Sequence, residues 1–257
     1  MQKKFLAIES EMNKVFLERA DEIRGLIVGV LSQSNVLLIG APGTAKSMMA
    51  NDLCSRVGGQ FFSWLMTRFS TPEEIAGPVS LKGLEQDSYR RNTQGKLPEA
   101  HVAFLDEIWK SSSAILNFLL TIANERVFHN NGKPQPVPTF MLVGASNEMP
   151  EDREDLSALY DRFLLRYLVH YVSLPSLKSI MAGRNVASTR TTVSLKDTQL
   201  AQEESQHVEI TDEIVDLTLH IKEKLSEANI FASDRRWKQG LSVVRANAWL
   251  EGREKAE

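Results

Sequence analysis

Residues 40–53 read GAPGTAKSMMANDL and follow directly on the apolar run VLLIG at 36–40. A glycine-rich bend ending in Lys-Ser, with helix formers behind it, is a cradle for a polyphosphate. Successive backbone N–H groups and the positive end of the next helix hold the anion. On this reading Gly40, Ala41, Pro42, Gly43, Thr44, Ala45, Lys46, Ser47 and Met48 form the phosphate-binding segment. Lys46 would reach the β- and γ-phosphates, and the Ser47 hydroxyl would coordinate Mg2+. The pattern G-x-x-x-x-G-K-[ST] asks for glycine where this chain has Ala45. Ala45 is expected at the helix entry with negative φ, where a Cβ meets no clash.

Four further stretches carry chemistry. FLDE (104–107) closes an apolar strand. Asp106 could hold Mg2+ through water and Glu107 could polarise an attacking water, the two tasks phosphoryl transfer demands. Paired acids after a strand also serve simply to start a helix. SNE (146–148) places Asn147 where it could hydrogen-bond a γ-phosphate or the lytic water; a turn residue is the plainer alternative. In DLSALYDRFLLR (155–166), Arg162 and Arg166 stand one helical turn apart. Delivered from a neighbouring subunit, such an arginine stabilises charge on a transferring phosphoryl group. A surface ion pair with Asp161 or Asp155 is the alternative. In ASDRRW (232–237), two arginines in a helix's first turn oppose its dipole, so an external anion would offset their cost. Arg235 is expected to reach from a small domain to the nucleotide.

The elements that must position these residues are legible from periodicity. Phe5, Ile8, Met12, Val15, Phe16, Ile23, Ile27, Val30 and Leu31 recur at helical spacing, and Ser32 to Asn35 end the helix. Strands are expected at 36–40, 61–66, 101–106, 139–146 and 166–172. Helices are expected at 46–57, stopped by Gly58-Gly59, and at 113–124. Alternating strands and helices imply a parallel sheet covered on both faces. Beyond Leu174-Pro175 no strand signal follows. Residues 184–207 are polar and read as a loop or loose insertion. One helix is expected from Thr211, burying Ile214, Leu217, Ile221 and Leu225. A last one from Ser233 would bury Trp237, Leu241, Val244 and Ala248. The fold class is therefore α/β, with a nucleotide-binding domain at 1–174 and a small all-helical lid at 175–257.

Composition narrows the setting. The net charge of −3 advertises no nucleic acid or anionic membrane, so nucleic acid is an unlikely partner. No apolar run approaches a membrane span, and the charged start MQKKFLAIESEMNK lacks the apolar core of a signal peptide. The single cysteine, Cys54, excludes an intrachain disulfide and suits a reducing compartment, so a cytoplasmic location is expected.

Taken in order, GAPGTAKS, FLDEIWK, GASNE, LYDRFLLR and ASDRRW resemble Walker A, Walker B, sensor 1, arginine finger and sensor 2 of an AAA+ ATPase. With STPEEIAGP (70–78) and LPEAHVAFLDEIWKSSSAILNFLLTIANERVF (97–128), the wording is similar to the MoxR family, nearest to its regulatory ATPase (RavA) branch. The likeness runs from about residue 1 to 252. It implies a five-stranded AAA+ sheet with a helical lid, ATP and Mg2+ as ligands, and a homo-oligomer, usually a hexameric ring, with ATP at each subunit boundary. By that resemblance Lys46 binds phosphate, Ser47 and Asp106 serve Mg2+, and Glu107 is the base. Asn147 becomes sensor 1, Arg162 the trans finger with Arg166 as second candidate, and Arg235 sensor 2. FHNNGKPQPVP (128–138) matches the family's β-hairpin, facing either a ring pore or solvent, with Asn131-Gly132 as its turn.

The implied activity is ATP-driven remodelling of protein complexes, the client being in this family often a protein with a von Willebrand factor A domain. A nucleic-acid motor and a nucleotide-gated switch without efficient hydrolysis are the rival expectations. Members of the regulatory branch carry further domains after the lid. This chain ends at Glu257, as either a segment of a longer protein or a shorter relative.

Overall fold

The computed structural model describes residues 1–150 and 154–256; the side chains of Glu154 and Asp155 are not among those described. In chain order the elements are α1 (Gln2–Val15), α2 (Ala20–Ser32), β1 (Asn35–Gly40), α3 (Lys46–Arg56), β2 (Phe61–Leu65), α4 (Pro72–Ala76) and α5 (Leu81–Leu84). Next come β3 (Val102–Asp106), α6 (Ser113–Glu125), the hairpin β4 (Val127–Asn130) and β5 (Lys133–Pro136), β6 (Met141–Ser146), α7 (Glu154–Asp161) and β7 (Phe163–Val169). The remainder is α8 (Leu174–Met181), α9 (Leu195–Gln206), β8 (Glu209–Ile210), α10 (Asp212–Glu227), α11 (Asp234–Leu250) and β9 (Lys255–Ala256).

The five-stranded sheet runs β2-β3-β6-β1-β7, with every pair parallel. In β1, Val36 and Leu38 join a core with Phe5, Ile8, Ile27 and Trp249, while Leu37 and Ile39 join a second core with Leu105, Leu119 and Phe163. That period-two split is what a strand buried on both faces must do. Gly40 ends β1 where a Cβ would lie 2.0 Å from the Val169 carbonyl, so the strands close together only because the residue is glycine. All the parallel strands therefore present their carboxyl ends, and the loops that follow them, at one sheet edge.

The expected α/β class and the five strands are present. The last begins at Phe163, three residues before the expected start, because Asn35 already pairs opposite Phe163. The hairpin turn takes positive φ at both Asn131 and Gly132, 54° and 69°, as a type I′ turn requires. The N-terminal helix is two helices. Glu18 at φ 57° reverses the chain, and both helices turn their apolar sides into one core.

Two expectations about the C-terminal third are overturned. Residues 195–206, read as loop, form α9, which buries Thr198, Ala201, Gln202 and Ser205 at helical spacing. Three of those four are polar, so hydropathy hid the stripe. Each finds a backbone acceptor: the Thr198 hydroxyl donates to Val57 O, Gln202 Nε2 to Val30 O, and the Ser205 hydroxyl to Leu31 O. Conversely no residue of α10 is fully buried: Ile214 and Leu225 are half-buried, Ile214 against the core, while Leu217 and Ile221, also expected inside, are 53% and 44% exposed. The region is otherwise helical, as expected, apart from the two-residue parallel pair of β8 and β9. In α11, Ala248 is buried as expected, beside Ala246, Trp249 and Leu250, whereas Trp237, Leu241 and Val244 are only half-buried.

Candidate functional site

The loop between β1 and α3 encloses a cleft of about 260 Å3 lined by residues 42–48 with Phe104, Asp106, Glu107 and Asn147. Sequence-distant motifs thus meet at the carboxyl edge of β1, β3 and β6, where open α/β sheets hold ligands. A larger cleft, about 840 Å3, opens beside Gln33, Arg126 and Gln202 and contains none of these residues.

Lys46 is the first residue of α3 and is largely buried. Its ammonium donates to Gly40 O at 2.6 Å and Ala41 O at 2.9 Å, with Thr44 Oγ1 at 3.5 Å. The Thr44 hydroxyl donates to Ala41 O at 2.9 Å and so braces the loop from inside. Burial pushes the Lys46 ammonium below its ordinary value; Asp106 and Glu107 counter this, while Arg19 adds to it. A phosphate arriving in the cleft would therefore meet a poorly hydrated cation that exchanges two carbonyls for anionic oxygens.

Ala45 differs from expectation. Its φ is +65°, the left-handed region, not the negative value anticipated. Both Gly43 (77°) and Ala45 take positive φ, so the loop passes through the left-handed region twice before α3. The glycine in the usual pattern thus has a conformational reason, and alanine bears the strain here.

Asp106 ends β3, and its carboxylate accepts the Glu107 N–H at 3.0 Å. Glu107 has φ 51°, and its carboxylate pairs with Lys110 at 3.1 Å. Asn147 follows β6 and is exposed at the cleft. The next residue is held by Trp109, whose indole N–H donates to Glu148 O at 3.1 Å while the ring packs edge-on against Phe163 and Tyr160. Ser47 and Asp106 offer hard oxygen donors at one cleft, the donor type Mg2+ takes alongside phosphate and water. Among the described residues no group of three His, Cys, Asp or Glu side chains forms a separate metal site.

Sequence reasoning missed the neighbouring cleft. About 680 Å3 in volume, it shares Met48 with the cleft at the β1–α3 loop and is lined also by Val15, Phe16, Asn51, Asn185 and Val186. No local pattern marks these residues; they converge only because Asn185 Nδ2 donates to Val15 O, drawing the chain after α8 to the end of α1.

The arginines lie elsewhere. Arg162 directly precedes β7, and its carbonyl accepts from Asn35 Nδ2 at the start of β1. Since β1 spans roughly 20 Å at about 3.3 Å per residue, Arg162 sits at the sheet edge opposite Lys46. It pairs with Asp161 at 3.0 Å, the expected alternative partner; the other, Asp155, lies outside the described side chains. Arg166 lies over the Tyr160 ring at 3.5 Å and donates to Tyr160 O and Phe163 O. Burial lowers both arginines below the ordinary value, aided by Arg235 for Arg162 and by Arg236 for Arg166. Arg235, expected to reach the nucleotide cleft, does not line the cleft at the β1–α3 loop of its own chain. Its guanidinium donates to Asn124 at 2.7 Å, near the end of α6, and Ser233 beside it binds Asp161. The first turn of α11 is thus held at the Arg162 edge.

Comparison with known proteins adds to this geometry. Residues 3–209 match a family model described as the MoxR domain in MoxR-vWA-beta-propeller ternary systems, and residues 213–257 match an AAA lid domain. The chain is 41% identical over 252 residues to an uncharacterised protein of Methanocaldococcus jannaschii, covering 97% of this chain and 66% of that protein. It is 29% identical over 168 residues to the chaperone MoxR1 of Mycobacterium tuberculosis, covering 63% of this chain and 43% of the relative. In fold it is similar to the crystal structure of a candidate ATPase from Cytophaga hutchinsonii, with a TM-score of 0.81 and 19% identity, covering all of this chain and 82% of that one.

Proposed function

Starting from the premise that this chain belongs to the MoxR family of AAA+ ATPases, we propose that it hydrolyses ATP at subunit boundaries of a homo-oligomeric ring and uses the cycle to remodel protein complexes. The observation that carries this reading is the separation of the two halves of the site. Lys46, Asp106, Glu107 and Asn147 line one cleft, whereas Arg162, Arg166 and Arg235 gather at the opposite sheet edge. No motion within one sheet brings them together, but head-to-tail packing of copies would seat one chain's arginine edge on its neighbour's cleft.

In that arrangement the loop amides and Lys46 bind the β- and γ-phosphates, while Ser47 and Asp106 hold Mg2+. The metal supplies charge neutralisation to the phosphates when bound. Glu107 accepts a proton from the attacking water and Asn147 orients it. Arg162 of the adjacent copy stabilises the developing charge; among the described residues its side chain pairs with Asp161 alone, which leaves it better placed for this than Arg166, which its own chain engages by stacking and two carbonyls. The Met48 cleft receives the adenine ring of the nucleotide. Residues from 175 onward act as the lid that follows nucleotide state.

A hexamer is the expected ring. A protein with a von Willebrand factor A domain is the proposed partner, supported by the systems in which the matching family model is found. Among the described residues no helix is long and apolar enough to cross a membrane. The chain spans 66% of the Methanocaldococcus relative, so the whole protein's client belongs to this proposal too. The Glu107–Lys110 ion pair favours a second reading, a nucleotide-gated switch, because it occupies the carboxylate that hydrolysis needs.

The test is phosphate release with light-scattering mass measurement, with and without ATP. Turnover that requires both Glu107 and Arg162, in an assembled species, supports the motor. Tight ATP binding without turnover supports the switch, and no ATP affinity rejects both.

A further inference from the structure

We propose that the Glu18–Arg19 turn is a positioning element that ties the phosphate-binding loop to the start of α8 and carries nucleotide occupancy from one to the other. This rests on the reading of the β1–α3 cleft as an ATP site.

At the reversal between α1 and α2 one side chain of the pair is buried and the other exposed, and both reach the segment after β7. Arg19 is buried, 5% exposed. Its Nε contacts Thr44 O inside the phosphate loop at 3.5 Å, Nη2 donates to His170 O just after β7, and Nη1 donates to Glu18 O at 2.6 Å. Glu18 faces solvent and grips α8. Its carboxylate accepts the Ser173 N–H at 2.9 Å, the Ser173 hydroxyl at 2.5 Å and the Ser176 hydroxyl at 2.6 Å. Ser173 occupies the N-cap of α8 and makes no side-chain capping bond; the Glu18 carboxylate instead accepts the N–H and hydroxyl of this N-cap residue, beside the positive end of the helix. Those hydroxyls, led by Ser173 and Ser176, hold the Glu18 carboxyl down at about 2, so it stays anionic throughout the neutral range.

What makes this grip consequential is how little else holds the helix. None of α8 is buried, and Leu174 and Met181 are 81% and 82% exposed. A helix anchored by its N-terminus and not by a core takes its direction from the anchor. At the other end, the Arg19–Thr44 contact is long, so a small shift of the loop either tightens or breaks it. When Lys46 leaves the Gly40 and Ala41 carbonyls for a phosphate, the loop holding Thr44 readjusts. Arg19 follows, and Glu18, its chain neighbour, moves the α8 cap. Beyond α8 the chain supplies Asn185 and Val186 to the Met48 cleft, so the same turn links both walls of the site.

The experiment is hydrogen–deuterium exchange of the whole chain with and without AMP-PNP and Mg2+, in wild type, Glu18→Ala and Ser176→Ala. Wild type should show exchange slowed by roughly tenfold or more at 40–48 together with a change at 174–181. Glu18→Ala should keep the protection at 40–48 and lose the nucleotide-dependent change at 174–181, with Ser176→Ala intermediate. A purely structural cap would raise the baseline exchange of α8 and leave its nucleotide dependence intact, which overturns the coupling. So would wild-type protection at 40–48 with no change at 174–181, or loss of analogue binding in Glu18→Ala. Absence of protection at 40–48 in wild type would overturn the ATP-site reading itself, and the coupling with it.

Discussion

Glu107 Oε2 and Lys110 Nζ lie 3.1 Å apart, one turn along the short helix that follows β3. The pair holds the proposed base beside the cleft in an orientation set by the left-handed backbone at Glu107. Glu107→Gln preserves the shape and removes the proton acceptor. Turnover should fall by about 10²–10⁴-fold with ATP affinity retained. Lys110→Ala, which releases the carboxylate without deleting it, should change turnover by less than tenfold. Phosphate release and equilibrium binding of a fluorescent ATP analogue measure both.

The arginine edge gives a complementation test. Lys46→Ala removes a chain's own phosphate grip and Arg162→Ala removes what it lends its neighbour, so each variant alone should lose about 10³-fold or more in turnover. Mixed in equal amounts, random assembly leaves roughly a quarter of the boundaries with an intact cleft facing an intact arginine. Activity of the mixture well above either parent is expected. Additive background rates would place Arg162 outside the site.

Ala45 sits at φ +65°, which costs an alanine about 1–2 kcal/mol relative to a glycine. Part of that returns as unfolded-chain entropy, so Ala45→Gly should stabilise the protein by about 0.5 kcal/mol. A β-branched residue at the same place suffers more, and Ala45→Val should lower the urea midpoint clearly. Chemical denaturation of the two variants separates these directions.

Glu11 and Arg56 form a buried pair at 2.6 Å that fastens α1 to α3 and to the chain at 189–191. Burial alone would raise the Glu11 carboxyl, but hydrogen bonds from Thr191, Thr189 and Arg56 outweigh it and hold it at about 2, below the ordinary 4.5. A folded value below the unfolded one contributes stability that is fully present above about pH 4.5 and is lost as the pH falls toward 2. Glu11→Gln should therefore be less stable than wild type at pH 7, and the gap should narrow through that window. Thermal unfolding between pH 7 and 3 follows it; a gap independent of pH would place the effect elsewhere than in this carboxylate.

Much of this protein was decided by short-range patterns. The bend at 40–48, the acids closing β3, the alternating strands and helices and the Asn131-Gly132 turn all rest on backbone demands or periodicities that a few neighbouring residues express. Other features needed the whole chain. The cleft beside Met48 joins residues 15–16, 48–51 and 185–190, and no local spacing announces such a meeting. The place of Arg162 and Arg235 opposite Lys46 follows from sheet direction and from how α11 docks, not from the motifs themselves. Hydropathy misjudged α9 and α10 for one reason. It scores the transfer of side chains out of water, whereas burial of Thr198, Gln202 and Ser205 was settled by carbonyls at the ends of α2 and α3, and exposure of Leu217 and Ile221 by the lack of any partner surface among the described residues.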